Sequence, residues 1–202
     1  MSKYEGLRRI EEYELPHPPW RFVANHNDIP PVAWTEAPYG WTIRCCPREK
    51  YEFGLSSKHK LNYQQLPNTL RELHKKAHVS QFVIYPSWEF DFSGCFLITS
   101  DSTLIEVVTG DIAALLKGQR TPDAIYLCEG PAYYKLTLRA GKEGILSNPE
   151  NLLFLKVCRR ISTQGLIVIE WTKTTEGKVL FHDFVEYHQP SRSGRRWNKG
   201  YQ

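Results

Sequence analysis

The sequence predicts an α+β protein. Three features carry that expectation: helix-start signals near residues 2, 69 and 148, a series of β-branched and aromatic runs from Gln81 onward, and a closing hairpin around Thr174-Thr175-Glu176-Gly177. With 202 residues, 41% apolar and 13% aromatic, the chain can bury a core in one domain or in two small lobes. That composition excludes a disordered or fibrous chain.

In chain order, Ser2-Lys3-Tyr4-Glu5 reads as a capping box that starts a helix, with Leu7, Ile10 and Tyr13 on one face. The prolines of Leu15-Pro16-His17-Pro18-Pro19 end it. A short strand over 20–24 lies within an otherwise irregular connection that runs to Gly40. Residues 41–46 alternate like a half-buried strand, which puts Arg44 on the face opposite Ile43 and Cys45. Thr69-Leu70-Arg71-Glu72 is a second capping box, for a helix buried along Leu70, Leu73 and Ala77; Lys75, Lys76 and His78 at its end suit the helix dipole. Strands are predicted over 81–85, 94–99, 104–108 and 133–138, the second and third joined by a turn at Ser100-Asp101-Ser102. Asn148-Pro149-Glu150 supplies a cap, a first-turn proline and an early acid for a helix through Leu152, Leu155, Cys158 and Ile161. Strands over 166–172 and 178–185 complete the closing hairpin.

The formal charge of +4 resides in the tail, because residues 189–202 hold four basic and no acidic side chains and the remainder is balanced. Arg192, Arg195, Arg196, Trp197, Lys199 and Tyr201 there are the residue types that contact nucleic-acid phosphates and stack on bases; a solvated disordered tail is the alternative. Cys45, Cys46, Cys95, Cys128 and Cys158 are odd in number and show no zinc-ligand spacing. No apolar run reaches signal-peptide or membrane-spanning length. Together these features predict buried free thiols, a reducing cytoplasmic setting and no membrane partner.

Several segments, in order, resemble the nucleotide-binding domain of the phosphoenolpyruvate synthase and pyruvate phosphate dikinase family. They are Leu15-Pro16-His17-Pro18-Pro19-Trp20, Ile43-Arg44-Cys45-Cys46, Phe92-Ser93-Gly94-Cys95-Phe96, Thr109-Gly110-Asp111 followed by Gly118-Gln119-Arg120-Thr121-Pro122-Asp123, and Ile167-Val168-Ile169-Glu170-Trp171 with its turn and partner strand. The resemblance covers roughly residues 1–186. It implies an ATP-grasp-like fold, two small lobes with antiparallel sheets and a nucleotide cleft between them, divided as residues 1–80, 81–188 and a basic tail over 189–202. ATP and magnesium are the implied cofactors, in a phosphotransferase or ligase whose acceptor the sequence does not specify.

Carried over residue by residue, the resemblance makes Arg44 and Lys3 the catalytic cations. Arg44 suits a phosphate clamp because its guanidinium bonds two oxygens at once; a structural salt bridge is the other reading. Lys3 falls where the family has its nucleotide-binding lysine, with a solvated first-turn lysine as the alternative. Glu170, with Asp183 across the hairpin, offers magnesium the hard oxygen ligands it prefers; surface strand acids are the alternative. Tyr85, Glu106, Arg120 and Thr121 complete the nucleotide contacts, Glu106 toward the ribose and Tyr85 in the connector beside the adenine. The family's final arginine has no counterpart at Phe184-Val185-Glu186, Val168 replaces an acid, and no Thr-Ser-His phosphohistidine motif is present. The complete dikinase reaction is therefore not expected of this polypeptide, and a degenerate non-catalytic module is the alternative to an enzyme. His182 is expected as a surface or paired strand residue.

Overall fold

In the computed structural model, residues 2–46, 57–77, 81–129 and 135–187 are described. The chain is α+β, built on two antiparallel sheets. Helix α1 (Lys3–Glu12) starts at the Ser2 capping box and buries Leu7 and Ile10 completely. Strands β1 (Arg21–Val23), β2 (Trp41–Cys45), β3 (Ser57–Leu61) and β4 (Phe82–Pro86) form the small sheet, in the order β1-β4-β2-β3. Helix α2 (Leu66–Ala77) covers one face of that sheet, packing Leu66, Leu70 and Leu73 on Ile43, Phe82 and Ile84.

The larger sheet contains β5 (Phe90–Ile98), β6 (Ser102–Thr109), β7 (Ala124–Glu129), β8 (Leu136–Gly141), β9 (Leu166–Thr174) and β10 (Val179–Tyr187), ordered β10-β9-β5-β6-β7-β8. Strict alternation splits β9 between two faces. Ile167, Ile169 and Trp171 join Phe154, Val157 and Cys158 of α4 (Asn148–Arg160) in the main core, leaving Val168, Glu170 and Thr172 on the opposite face. Gly94 is required here, because a Cβ on it would lie 2.7 Å from the Trp171 ring and 2.1 Å from the Glu106 carbonyl oxygen. A short helix α3 (Ala113–Leu116) follows β6 and packs Ile112 and Leu115 against Cys95 and Val108.

Several expectations shift. The helix predicted to start at Thr69 starts at Leu66: Asn62 and Gln65 form the capping contact through a 3-10 turn over Tyr63–Gln65, and Pro67 is tolerated in the first turn. The last helix is capped by Ser147 with Glu150, one residue before the predicted Asn148. Strands β3 and β7 and helix α3 are additions. The lobes also do not divide at residue 80, since β4 is an inner strand of the small sheet and α1 packs against β10 of the large one. The side chain of Ala77, residue His78 and the tail over 189–202 lie outside the described residues.

Candidate functional site

A cleft of about 540 Å³ opens between the two sheets. The small lobe lines it with Thr42 and Arg44 from β2, Ser57, His59 and Lys60 from β3, and Tyr85 from β4. The large lobe contributes Ser93, Glu170, Thr172 and His182 from its strands, with Asp111, Ile112 and Leu116 from the α3 segment. Ser87 and Trp88, in the connector from β4 to β5, close one side. Charge is partitioned across the gap, with cations Arg44 and Lys60 on the small lobe and carboxylates Glu170 and Asp111 on the large one.

Strand alternation delivers Arg44 here as the sequence predicts, because Ile43 and Cys45 enter the small-lobe core on the other face. Glu170 arrives the same way from β9. Across the hairpin, β10 carries a bulge: Phe181 pairs with Trp171 and Asp183 with Glu170, so His182 is the extra residue and both it and Asp183 stand opposite Glu170. Lys3 reaches the same point from the first turn of α1 and forms a buried ion pair with Asp183. Asp183 does not line the cleft itself, and neither does Lys3.

These groups set one another's protonation. Burial alone would raise the Asp183 carboxyl, but Lys3, through charge and hydrogen bonding, and then Arg44 hold it below the usual carboxylate range. Glu170 is pushed up, first by burial and then by the Asp183 charge, against the opposing pull of Lys3 and Arg44. Burial, reinforced by Lys3 and Arg44, pushes the His182 imidazole down to about 3, so the ring is neutral at physiological pH. Its Nδ1 is 3.9 Å from Glu170 Oε2, and its Nε2 is buried without a hydrogen-bond partner. His182 thus lies half-buried on the cleft wall beside Glu170 rather than on the open sheet surface. Tyr85 is pushed up to about 12 by burial and remains a phenol.

A second polar group lines the small-lobe wall. Thr42 Oγ1 lies 2.8 Å from Ser87 Oγ and 3.2 Å from His59 Nδ1, and His59 Nε2 lies 2.7 Å from Ser57 Oγ. On the opposite wall Trp88 Nε1 donates to Thr172 Oγ1 at 2.8 Å, tying the connector to β9. None of these residues stands out in the sequence, because β3 is a polar run with no apolar alternation and hydroxyl residues carry no motif.

Three further sequence candidates lie away from the cleft. Arg120 bonds the Thr109 carbonyl at 2.8 Å and both Asp123 oxygens at 3.1 and 2.9 Å, while Asp123 accepts the Thr109 N–H at 2.6 Å. The Gly118–Asp123 run therefore clasps the α3 segment to the sheet, and Thr121 is exposed beside it. Glu106 sits on the same sheet face as Glu170, two strands away in one row through Cys95, and accepts from the Cys95 thiol at 3.5 Å. Ser93 also has architectural work, donating to the Gly110 carbonyl and so fixing the strand end before Asp111.

The donor set fits a divalent cation in part. Glu170 and Asp183 are paired carboxylates of the hard-oxygen kind magnesium takes one or two of, with phosphate and water oxygens completing its shell. Among the described residues no three His, Cys, Asp or Glu side chains converge as a self-sufficient metal cage.

No family model matches the chain, and no curated protein matches it in sequence. Solved structures do match in three dimensions. Carboxyaminoimidazole ribonucleotide synthetase (PurK) in its ADP complex superposes with a TM-score of 0.58 at 13% identity, over 93% of this chain and 45% of that one. D-alanine-D-alanine ligase from Coxiella burnetii gives 0.51 at 8%, over 92% and 47%. The fold is that of the ATP-grasp enzymes. A carboxyaminoimidazole synthetase from Staphylococcus aureus agrees, at 0.51 and 11% over 91% and 43%. The chain spans just under half the length of each of these structures. None of the three is a phosphoenolpyruvate synthase or dikinase, so the comparison reaches the fold and not that narrower family. No helix among the described residues is long and apolar enough to cross a membrane.

Proposed function

We propose that the cleft binds ATP with magnesium and that the chain belongs to an ATP-dependent ligase or phosphotransferase. The charge partition across the cleft carries this reading. A nucleotide polyphosphate with its metal needs cations on one side and carboxylates on the other, and Arg44 with Lys60 faces Glu170 with Asp111 in that arrangement. The similar PurK structure is an ADP complex, which supports a nucleotide as the ligand.

In this reading Arg44 clamps phosphate oxygens, its charge held by the nearby Glu170 and Asp183 carboxylates. Glu170 and Asp183 are the residues that would hold magnesium, which neutralises charge on the transferring phosphoryl group. The apolar side formed by Trp88, Phe90, Ile112 and Leu116 excludes water and receives the base. Glu106 and Arg120 act as supports rather than contacts. The finer kinship with phosphoenolpyruvate synthases rests on the order of the sequence motifs, of which Arg44, Ser93, Asp111 and Glu170 reach the cleft. A second reading, a nucleotide-binding module without catalysis, is favoured by the ion pair that already occupies Asp183.

Calorimetric titration with ATP and magnesium tests the proposal on Arg44→Lys, which keeps the charge and loses the fork. Affinity is expected to fall about tenfold, since charge-assisted bidentate bonds are worth on the order of 1.5–3 kcal/mol. Unchanged affinity in a folded variant would remove Arg44 from the phosphate site. Binding without turnover of any acceptor would select the second reading.

A further inference from the structure

Lys3 is seated firmly in the first turn of α1. The Ser2 capping box fixes the start of α1: the Ser2 N–H donates to Glu5 at 2.6 Å, and the Glu5 N–H donates to Ser2 Oγ at 3.2 Å. One turn later Gly6 lies against the β10 backbone so closely that a Cβ would meet the Phe184 carbonyl oxygen at 2.6 Å. Leu7 and Ile10 anchor the same helix in the main core. The Lys3 side chain, 11% exposed, is consequently delivered to one place, the Asp183 carboxylate, itself 15% exposed. Asp183 is its only ion-pair partner among the described residues.

The resemblance to dikinases would assign this ammonium to a phosphate of the nucleotide. Its position favours something else. Asp183 is directly opposite Glu170, the carboxylate that lines the cleft. Its Oδ1 accepts the Phe184 N–H at 3.0 Å and its Oδ2 is held by Lys3, so a divalent cation taken by the pair competes with Lys3 for Oδ2. Two cations cannot share one buried carboxylate without strong mutual repulsion. Because the lysine is tethered, it competes at the high effective concentration of an intramolecular partner.

Resting on the magnesium reading of the cleft, we propose that Lys3 is a built-in cation that holds Asp183 in the absence of metal. Pairing of Lys3 with Asp183 and coordination of a divalent cation by Asp183 with Glu170 then exclude one another. Metal binding frees the ammonium, and the metal-free site stays closed and charge-balanced: Lys3 and Arg44 against Glu170 and Asp183, with the neutral His182 ring beside them. The site is thereby self-inhibited toward metal.

The test is titration of the full chain with manganese, followed by electron paramagnetic resonance without nucleotide, on wild type, Lys3→Met, Asp183→Asn and Lys3→Met/Asp183→Asn. Lys3→Met should tighten manganese on the order of tenfold, within the range usual for coupled sites, and the gain should vanish when Asp183→Asn is added. Should Lys3→Met fail to fold, Lys3→Gln carries the same prediction, because its amide still donates to Asp183 without bringing charge. Unchanged or weaker manganese binding in the folded Lys3 variant overturns the proposal. So does a loss of ATP affinity in that variant equal to that of Arg44→Lys with metal binding unaltered, which would make Lys3 a phosphate ligand and leave the nucleotide reading intact. If manganese behaves as stated but no form binds ATP, the cation exchange stands and the nucleotide reading falls.

Discussion

Substituting Gly6 by alanine sets two known effects against each other. Alanine in place of glycine inside a helix is worth up to about 1 kcal/mol, so α1 considered alone would gain. The new Cβ, however, meets the Phe184 carbonyl oxygen at 2.6 Å and its nitrogen at 3.2 Å, both backbone atoms of β10 that have no rotamer to change. An ordinary carbon–oxygen contact is roughly 3.3 Å or more, so the helix must withdraw by roughly 0.7 Å. That loosens Leu7 and Ile10, both fully buried, and overpacking of this kind costs about 1–3 kcal/mol. The loss wins. Gly6→Ala is expected to destabilise by about 1–2 kcal/mol, lowering Tm by roughly 2–8 °C for a chain of this size. It should also draw Lys3 away from Asp183, so manganese affinity rises along with the loss of stability. Urea unfolding with thermal melts measures the first effect and metal titration the second. A variant as stable as wild type would refute the close seating of α1 on β10.

Two further outcomes follow from the same geometry. His182, with its pKa pushed down to about 3 in the folded chain against 6.5 unfolded, stays neutral while the unfolded chain takes up a proton as pH falls. Its contribution is therefore full above pH 6.5 and is lost progressively below it, by about 2 kcal/mol between pH 7 and pH 5; His182→Gln should flatten that slope in urea unfolding, and an unaltered slope would contradict the burial of the neutral ring. Thr172→Val leaves the Trp88 indole N–H without its acceptor while keeping the volume, which should cost about 1–3 kcal/mol and shift the indole fluorescence; no change in either would show that the connector is held by other contacts.

The sequence made parts of both lobes legible through periodicity and caps. Ser2 with Glu5 marked α1, alternation in Trp41–Cys45 put Arg44 on the cleft face, and the two strands of the closing hairpin were visible because Ile167, Ile169, Trp171, Phe181 and Phe184 keep the core side apolar. Strand β3 was not legible, since Ser57–Leu61 is a sheet edge whose polar residues face the cleft and whose pattern resembles a loop. Strand β7 did carry a signal, the alternation of Ala124, Tyr126 and Cys128 on the core face. The lobe boundary was misplaced because β4 follows α2 in sequence yet pairs with β1 and β2, and pairing across tens of residues leaves no local mark.

Among the site residues, Arg44 and Glu170 were legible because they are charges interrupting apolar strands, a costly placement that implies a partner or a ligand. Arg120, Thr121 and Glu106 were drawn in by motif likeness alone, and the structure shows why a motif can persist without contacting a ligand: Arg120 and Asp123 brace the α3 segment that carries Asp111 to the cleft. His182 gave no warning, because the bulge that turns it inward arises from the pairing of β9 with β10 and not from its neighbours in sequence.

Calorimetric titration of the chain with ATP, with and without magnesium and then on Glu170→Gln, tests the central claim most directly. The account predicts magnesium-dependent binding that weakens in Glu170→Gln while the fold is kept, since the variant removes a carboxylate from the metal and also relieves the burial of its charge. Absence of heat and of thermal stabilisation in the wild-type chain at millimolar nucleotide, or equal binding in Glu170→Gln, would contradict it.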